Sequence, residues 1–268
     1  MPLNAFAGFA VDMDGTFFLG DRLLPGALEF ISFLRAKGIP YRFLTNNSSK
    51  SSLAYVGKLQ GLGLNAEDAL IYSSGDACIG YLQQNFPGAS VFLLGTPSLQ
   101  ESFKAAGIRL VEHEAQVAVL AFDTTLTYAR LTRFCDLVRA GLPYISTHPD
   151  INCPVPGGYA PDAGAMMALV RASTGREPDI VLGKPNPEIM RQLAAQIDVD
   201  PAQLVMVGDR LYTDIALGQT AGVQTVLVLS GEAKREHLAV SPYQPDLVCE
   251  DLSELLEFLR GWGSAQAV

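Results

Sequence analysis

The chain has 268 residues, 49% hydrophobic and 18% charged, a balance and length that suit a folded globule of one large or two modest domains. Its formal charge is -9, from 19 Lys and Arg against 28 Asp and Glu, without any dense basic run, which argues against nucleic acid as a partner. No apolar run approaches the ~20 residues needed to cross a membrane.

An apolar run over 6–11 reads as the first strand, followed by helical periodicity over 26–37, a strand over 40–44 and a helix over 48–61. Strands are expected at 69–72, 90–94, 116–122 and 142–146, with helices at 97–106 and 127–139 between them. The region from Thr147 to Pro161 holds four prolines and two adjacent glycines, too many breakers for a regular element, and is expected to be a functional surface loop. Beyond it lie a helix at 163–173, a strand at 179–182, a helix at 186–197, a strand at 204–208, a helix at 211–220 and a strand at 223–229. Gly261 to Val268 reads as a frayed tail. The alternation predicts an α/β fold, a parallel sheet with helices on its faces. Val205-Met206-Val207 and Val226-Leu227-Val228 are apolar on both faces, as a doubly covered sheet requires. The four cysteines (Cys78, Cys135, Cys153, Cys249) form no C-x-x-C pair and are expected to be buried free thiols. No Lys or Arg precedes Arg22, so the N-terminus does not read as a signal peptide and the cytoplasm is the expected compartment.

The segment Asp12-Met13-Asp14-Gly15-Thr16 carries the strongest chemical signal. Two carboxylates one residue apart close an apolar strand, and in an extended segment alternate residues share a face. Strand ends of open α/β sheets are where ligands bind. Like charges held that close require a cation or a shared proton, so the pair predicts a metal, acid–base chemistry, or both. A calcium loop is excluded, because Phe17 stands at the position that needs glycine and Leu23 at the position of the bidentate acid.

Three more clusters follow apolar strands. Thr45-Asn46-Asn47-Ser48-Ser49 combines a strand-end hydroxyl with a capped helix start, a natural anion site. In Gly183-Lys184-Pro185-Asn186-Pro187 the lysine ammonium stands before a Pro-fixed turn, able to neutralise a phosphate or steady a carboxylate. Gly208-Asp209-Arg210-Leu211-Tyr212-Thr213-Asp214 is another strand ending in an acid, with a second acid five residues on, and such oxygen-only ligands suit Mg²⁺. Taken singly, each cluster also has an ordinary structural explanation, by capping or solvent exposure. A Walker A loop, a zinc-peptidase helix and a G-x-S-x-G elbow are absent.

Together, Asp12-Met13-Asp14-Gly15-Thr16, Thr45, Lys184 and Gly208-Asp209…Asp214 resemble the four ordered motifs of haloacid dehalogenase (HAD) phosphatases. The Thr45-Asn46-Asn47 and Gly183-Lys184-Pro185 forms resemble the NagD-like, or 4-nitrophenylphosphatase, subfamily. The resemblance implies a Rossmann-like core, 1–85 and 179–268, with an inserted α/β cap, 86–178. The roughly 140 residues between Thr45 and Lys184 leave room for a domain of ~100 residues. It implies a Mg²⁺-dependent phosphomonoester hydrolase of small phosphorylated metabolites, sugar phosphates or nucleotides, with 4-nitrophenyl phosphate as an artificial substrate. Asp12 would be the nucleophile that becomes an aspartyl-phosphate, and Asp14 the acid and base. Thr45, Asn46 and Lys184 would bind phosphate oxygens. Asp12, the Asp14 carbonyl and Asp209 would hold the metal, with Asp214 behind them. His148, Asp150 and Asn152 fall where caps of this subfamily present their specificity loop, although His148 departs from the usual Thr-Asn-Pro-Asp, and they are expected to touch substrate. Cap-to-cap dimers occur among such proteins, so a homodimer belongs to the expectation. Transfer of the phosphoryl group to a second sugar is the rival reaction on the same fold, and a non-catalytic phosphate-binding module is the rival outside catalysis.

Overall fold

The structure, a computed structural model, describes residues 6–155 and 157–265. Its contacts divide the chain into two compact units: one runs up to Leu44, then Tyr55–Tyr72, then from Pro185 on, and the other comprises Thr45–Ala54 and Ser73–Lys184. The expected boundaries at 85/86 and 178/179 differ from this division, which assigns the helix Ser74–Asn85 to the inserted unit.

The first unit is built on a six-stranded sheet in the order Leu247–Cys249, Gln224–Val228, Leu204–Gly208, Gly8–Asp12, Tyr41–Thr45, Ile71–Ser73. Gly8–Asp12 pairs in parallel on both sides, with Val11 opposite Val207 and Asp12 opposite Leu44. Phe9, Ala10 and Val11 are wholly buried, as a strand covered on both faces must be. From Gly8–Asp12 the chain winds outward to one edge, then returns to Leu204–Gly208 on the other side. The connections therefore diverge at these two strands, the switch point beside which open α/β sheets bind ligands. Helix Ala27–Ala36 buries Ala27, Phe30, Ile31 and Leu34 on one stripe, and Phe30 meets Phe9 edge to face at 5.6 Å.

The second unit has a five-stranded parallel sheet in the order Ile180–Val181, Tyr144–Ser146, Val117–Leu120, Ser90–Leu94, Arg109–Leu110. Along Ser90–Leu94 the faces alternate. Val91 and Leu93 join Cys78, Leu82 and Phe103 in one core, while Phe92 and Leu94 join Phe134, Tyr144 and Val170 in another. A Ser73/Asp76 capping box starts helix Ser74–Asn85. Thr96, Thr127 and Asp162 cap the helices Pro97–Ala105, Tyr128–Arg139 and Ala163–Thr174.

Three expectations need correction. The proline-rich stretch after Thr147 is not all loop: Asn152–Val155 and Gly158–Pro161 pair as an antiparallel hairpin. Pro154 and Pro161 have no N–H to give a ladder, and the two-stranded hairpin makes few demands for one. Helix Leu252–Ala265 runs through most of the expected tail, because Leu252, Leu255, Leu256 and Leu259 form a buried stripe that anchors it; residues 266–268 of that tail lie outside the described residues. Cys78, Cys135 and Cys249 are buried, but Cys153 sits half-buried in the hairpin. Among the described residues no helix is long and apolar enough to cross a membrane.

Candidate active site

In the first unit, the strand Gly8–Asp12 delivers a largely buried Asp12, 8% exposed, into a tight turn. The Met13 carbonyl accepts from Phe17 N–H at 2.9 Å and Phe18 N–H at 3.1 Å, while Gly15 N–H donates to Phe18 O at 2.8 Å. Gly15 closes the turn at φ 89°, a left-handed conformation suited to glycine. Asp14 is exposed, so two acids one residue apart have opposite surroundings.

The neighbouring strand Leu204–Gly208 delivers Asp209, 1% exposed, and the π-type turn Leu211–Ile215 then carries a fully buried Asp214. Single-turn π segments of this kind recur at functional sites. Asp209 Oδ2 accepts from Glu232 N–H at 2.7 Å and Asp214 Oδ2 from Arg210 N–H at 3.1 Å. One carboxylate oxygen each of Asp12, Asp209 and Asp214 lie within 4.8 Å of one another. Beside them, burial pulls the Arg210 guanidinium downward, but the charges of Asp12 and Asp209 more than compensate and raise its pKa. A Cβ at Gly15 or at Gly231 would collide with the Asp209 carboxylate. The buried hydroxyls of Thr16 and Thr213, within the same two motifs, have no protein partner. Three crowded carboxylates of hard oxygen, two of them set against glycine backbone that leaves room for their side chains, fit a divalent cation such as Mg²⁺.

In the second unit, Thr45 and Lys184 are both buried, 6% and 4% exposed. Thr45 Oγ1 accepts from Asn47 N–H at 3.1 Å. The Asn46 side chain makes a clip: its Oδ1 accepts from Lys184 N–H at 2.7 Å, and its Nδ2 donates to Lys184 O and to Asp150 Oδ1, each at 3.0 Å. Asn46 thus spends its amide on the backbone of Lys184. His148 is fully buried, with Nε2 2.8 Å from Asp162 Oδ1 and Nδ1 2.9 Å from Thr147 Oγ1. Ser48 Oγ lies 3.0 Å from the Thr147 hydroxyl and accepts from Phe122 N–H at 3.0 Å. The expected substrate contact at His148 is therefore an interior group of this unit. Of the other two, Asp150 is half-buried and bound to Asn46, while Asn152 is exposed at the start of the hairpin.

Comparison with known proteins decides the family. Residues 9–109 match the haloacid dehalogenase-like hydrolase model, and residues 181–255 match a HAD-hydrolase-like model. The solved structure of a 4-nitrophenylphosphatase from Thermotoga maritima is 45% identical, with a TM-score of 0.90 over 94% of this chain and 97% of that one. The chain belongs to the haloacid dehalogenase-like hydrolases and is a NagD-like phosphatase. It is similar along its length to an acid sugar phosphatase of Staphylococcus saprophyticus, 32% identical over 96% of this chain and all of the relative. A 5'-nucleotidase of Bacillus subtilis is 30% identical over the same shares.

Within this NagD-like phosphatase, sequence reasoning passed over Arg210 and the segment Ser230–Ala233. Arg210 stood in plain view between two motif acids, and its charge beside theirs was the available signal. Ser230-Gly231 gave none, since its meaning depends on Asp209 approaching from a different strand.

Proposed function

We propose that this chain is a Mg²⁺-dependent phosphomonoester hydrolase of small phosphorylated metabolites. The observation that carries the reading is the meeting of Asp12, Asp209 and Asp214 at the ends of two adjacent strands. In this reading Asp12 attacks phosphorus as the bond to the leaving oxygen breaks, which leaves an aspartyl-phosphate. Asp14 lies exposed to solvent; it gives its proton to the leaving oxygen, then takes one from the water that attacks the aspartyl-phosphate and frees Asp12 and inorganic phosphate. By the motif resemblance, the Thr45 hydroxyl and the Lys184 ammonium bind the remaining phosphoryl oxygens, where the transition-state charge resides. Asn46 fixes the Lys184 backbone. Asp12, the Asp14 carbonyl and Asp209 would hold Mg²⁺, which when bound supplies positive charge against the phosphoryl oxygens.

The relatives named for sugar phosphates and for 5'-nucleotides point to a substrate of one of those two kinds. We place the enzyme in the cytoplasm and expect a homodimer, which light scattering of the purified protein will weigh. The deciding experiment assays 4-nitrophenyl phosphate and a panel of sugar phosphates and nucleotides with Mg²⁺. Release of phosphate from at least one class supports the reading. Absence of any hydrolysis by folded, Mg²⁺-supplied protein refutes it.

A further inference from the structure

The Asp209 carboxylate is aimed by chain that lies outside every motif. After the strand Gln224–Val228, the next residues cross over both acidic loops. Ser230 Oγ donates to Gly15 O at 2.9 Å, touching the loop of Asp12 and Asp14. Glu232 N–H donates to Asp209 Oδ2 at 2.7 Å, and Ala233 N–H donates to Asp209 O at 3.1 Å. Gly231 sits against the same carboxylate, so closely that a Cβ there would overlap Asp209. The Glu232 carboxylate pairs with Arg210 Nε at 3.0 Å. Four consecutive residues thus contact both loops and a guanidinium beside the carboxylate cluster. The Glu232–Arg210 pair joins a half-buried guanidinium to a more exposed carboxylate, and it fixes where a cation stands beside three acids.

We propose that Ser230–Ala233 is the positioning element of the acidic site. Its backbone aims Asp209, Ser230 ties down the Asp14–Gly15 turn, and Glu232 fixes Arg210 so that the guanidinium does not take the cation's place. The proposal rests on the reading of that cluster as a divalent-metal site. Groups that orient a ligand from behind are commonly worth 10–100-fold in metal affinity.

The test uses Mn²⁺ as the probe, with free ion counted by electron paramagnetic resonance, on the full chain and without substrate. Gly231→Ala should bind Mn²⁺ about 10–100-fold more weakly than the unaltered chain. Ser230→Ala changes no charge and removes one hydrogen bond; it should weaken binding several-fold while the melting temperature stays within a few degrees. A merely structural segment would lower the melting temperature and leave the affinity of the folded protein alone. If Gly231→Ala does not fold, Ser230→Ala decides by itself. Variants that fold and bind Mn²⁺ as the unaltered chain does overturn the positioning role while the metal reading stands. Failure of the unaltered chain to bind Mn²⁺ overturns the metal reading and this proposal with it.

Discussion

In the unit built on Gly8–Asp12, polar groups at the strand ends are carboxylates steadied by backbone: Glu232 N–H on Asp209, Arg210 N–H on Asp214, and glycines that leave room for both loops. In the unit built on Ser90–Leu94, polar groups at equivalent depth hold one another. His148 meets Asp162 and Thr147, Thr147 meets Ser48, and Asn46 meets Asp150 and Lys184. That unit also gathers a histidine and two acids, His148, Asp150 and Asp162. There, however, Asp162 already accepts from His148 and from Ala163 N–H, and Asp150 from Asn46. A network in which donors meet acceptors is complete within the protein and specifies its interior. Asp12, Asp209 and Asp214 instead bring three like charges within 4.8 Å of one another, a crowding that a cation or a shared proton relieves. Burial alone would rank the two regions alike; what separates them is that one crowds like charges together while the other sets a histidine between a carboxylate and a hydroxyl.

The largest test of that contrast is Asp12→Asn. Turnover of 4-nitrophenyl phosphate should fall by at least about 10⁴-fold, since the amide cannot act as the nucleophile. In EDTA the same change should leave the melting temperature unchanged or raise it, because one of three crowded negative charges is removed. A large loss of stability would mean that the acids satisfy each other after all. Metal removal comes next. EDTA should abolish activity and excess Mg²⁺ restore it, with Mg²⁺ at 100 times its dissociation constant adding about 2.7 kcal/mol to stability. Scanning calorimetry with and without the ion reads this directly, and a melting temperature indifferent to Mg²⁺ contradicts the assignment.

Asn46→Ala should have a smaller effect, from the opposite unit. It leaves Lys184 N–H and O and Asp150 without the partners they now have, at about 1–3 kcal/mol for each buried group left unsatisfied. A lysine displaced by about 1 Å costs up to ~10²-fold in rate. Activity should therefore fall about 10–100-fold, mostly in kcat, with Mn²⁺ binding retained. Loss of Mn²⁺ affinity in this variant would mean that the two regions do not divide the work as described.

All nine strands expected from apolar runs are present, because a buried parallel strand is a local signal that few other elements imitate. The two-residue strands Phe18–Leu19, Arg22–Leu23 and Arg109–Leu110 are too short to carry a period. The hairpin at Asn152–Pro161 was hidden by its prolines. Helix Ser74–Asn85 did carry a signal, Ser73 three residues before Asp76 and then Ala77, Cys78, Ile79 and Leu82, which Gly75 and Gly80 obscured. At the site, Asp12 and Asp209 were legible because each ends an apolar strand. The Asn46 clip to Lys184 spans 138 residues, and the Ser230–Ala233 contacts join different strands. Contacts of that range leave no spacing in a sequence.

The smallest effect belongs to His148, and it tests whether the interior network is architecture. The sequence expectation makes it a substrate contact, in which case His148→Ala would reorder a panel of natural substrates and leave stability nearly untouched. Its geometry argues for the reverse. The ring has 0% exposure and joins Asp162, the cap of helix Ala163–Thr174, to the Thr147 and Ser48 hydroxyls. Removing the imidazole leaves a buried carboxylate and a hydroxyl without that partner, which should cost about 1–3 kcal/mol of stability in urea denaturation. Activity toward every substrate should then fall together and by less than about threefold, since 1.4 kcal/mol of lost transition-state binding would already be tenfold. Pairing His148→Ala with Asp162→Asn sharpens this further. Side chains in direct contact couple by about 0.5–3 kcal/mol, so the double variant should be less destabilised than the sum of the single ones. Additive losses, or a shifted substrate ranking at unchanged stability, would move His148 out of the interior network and back among the groups that read the substrate.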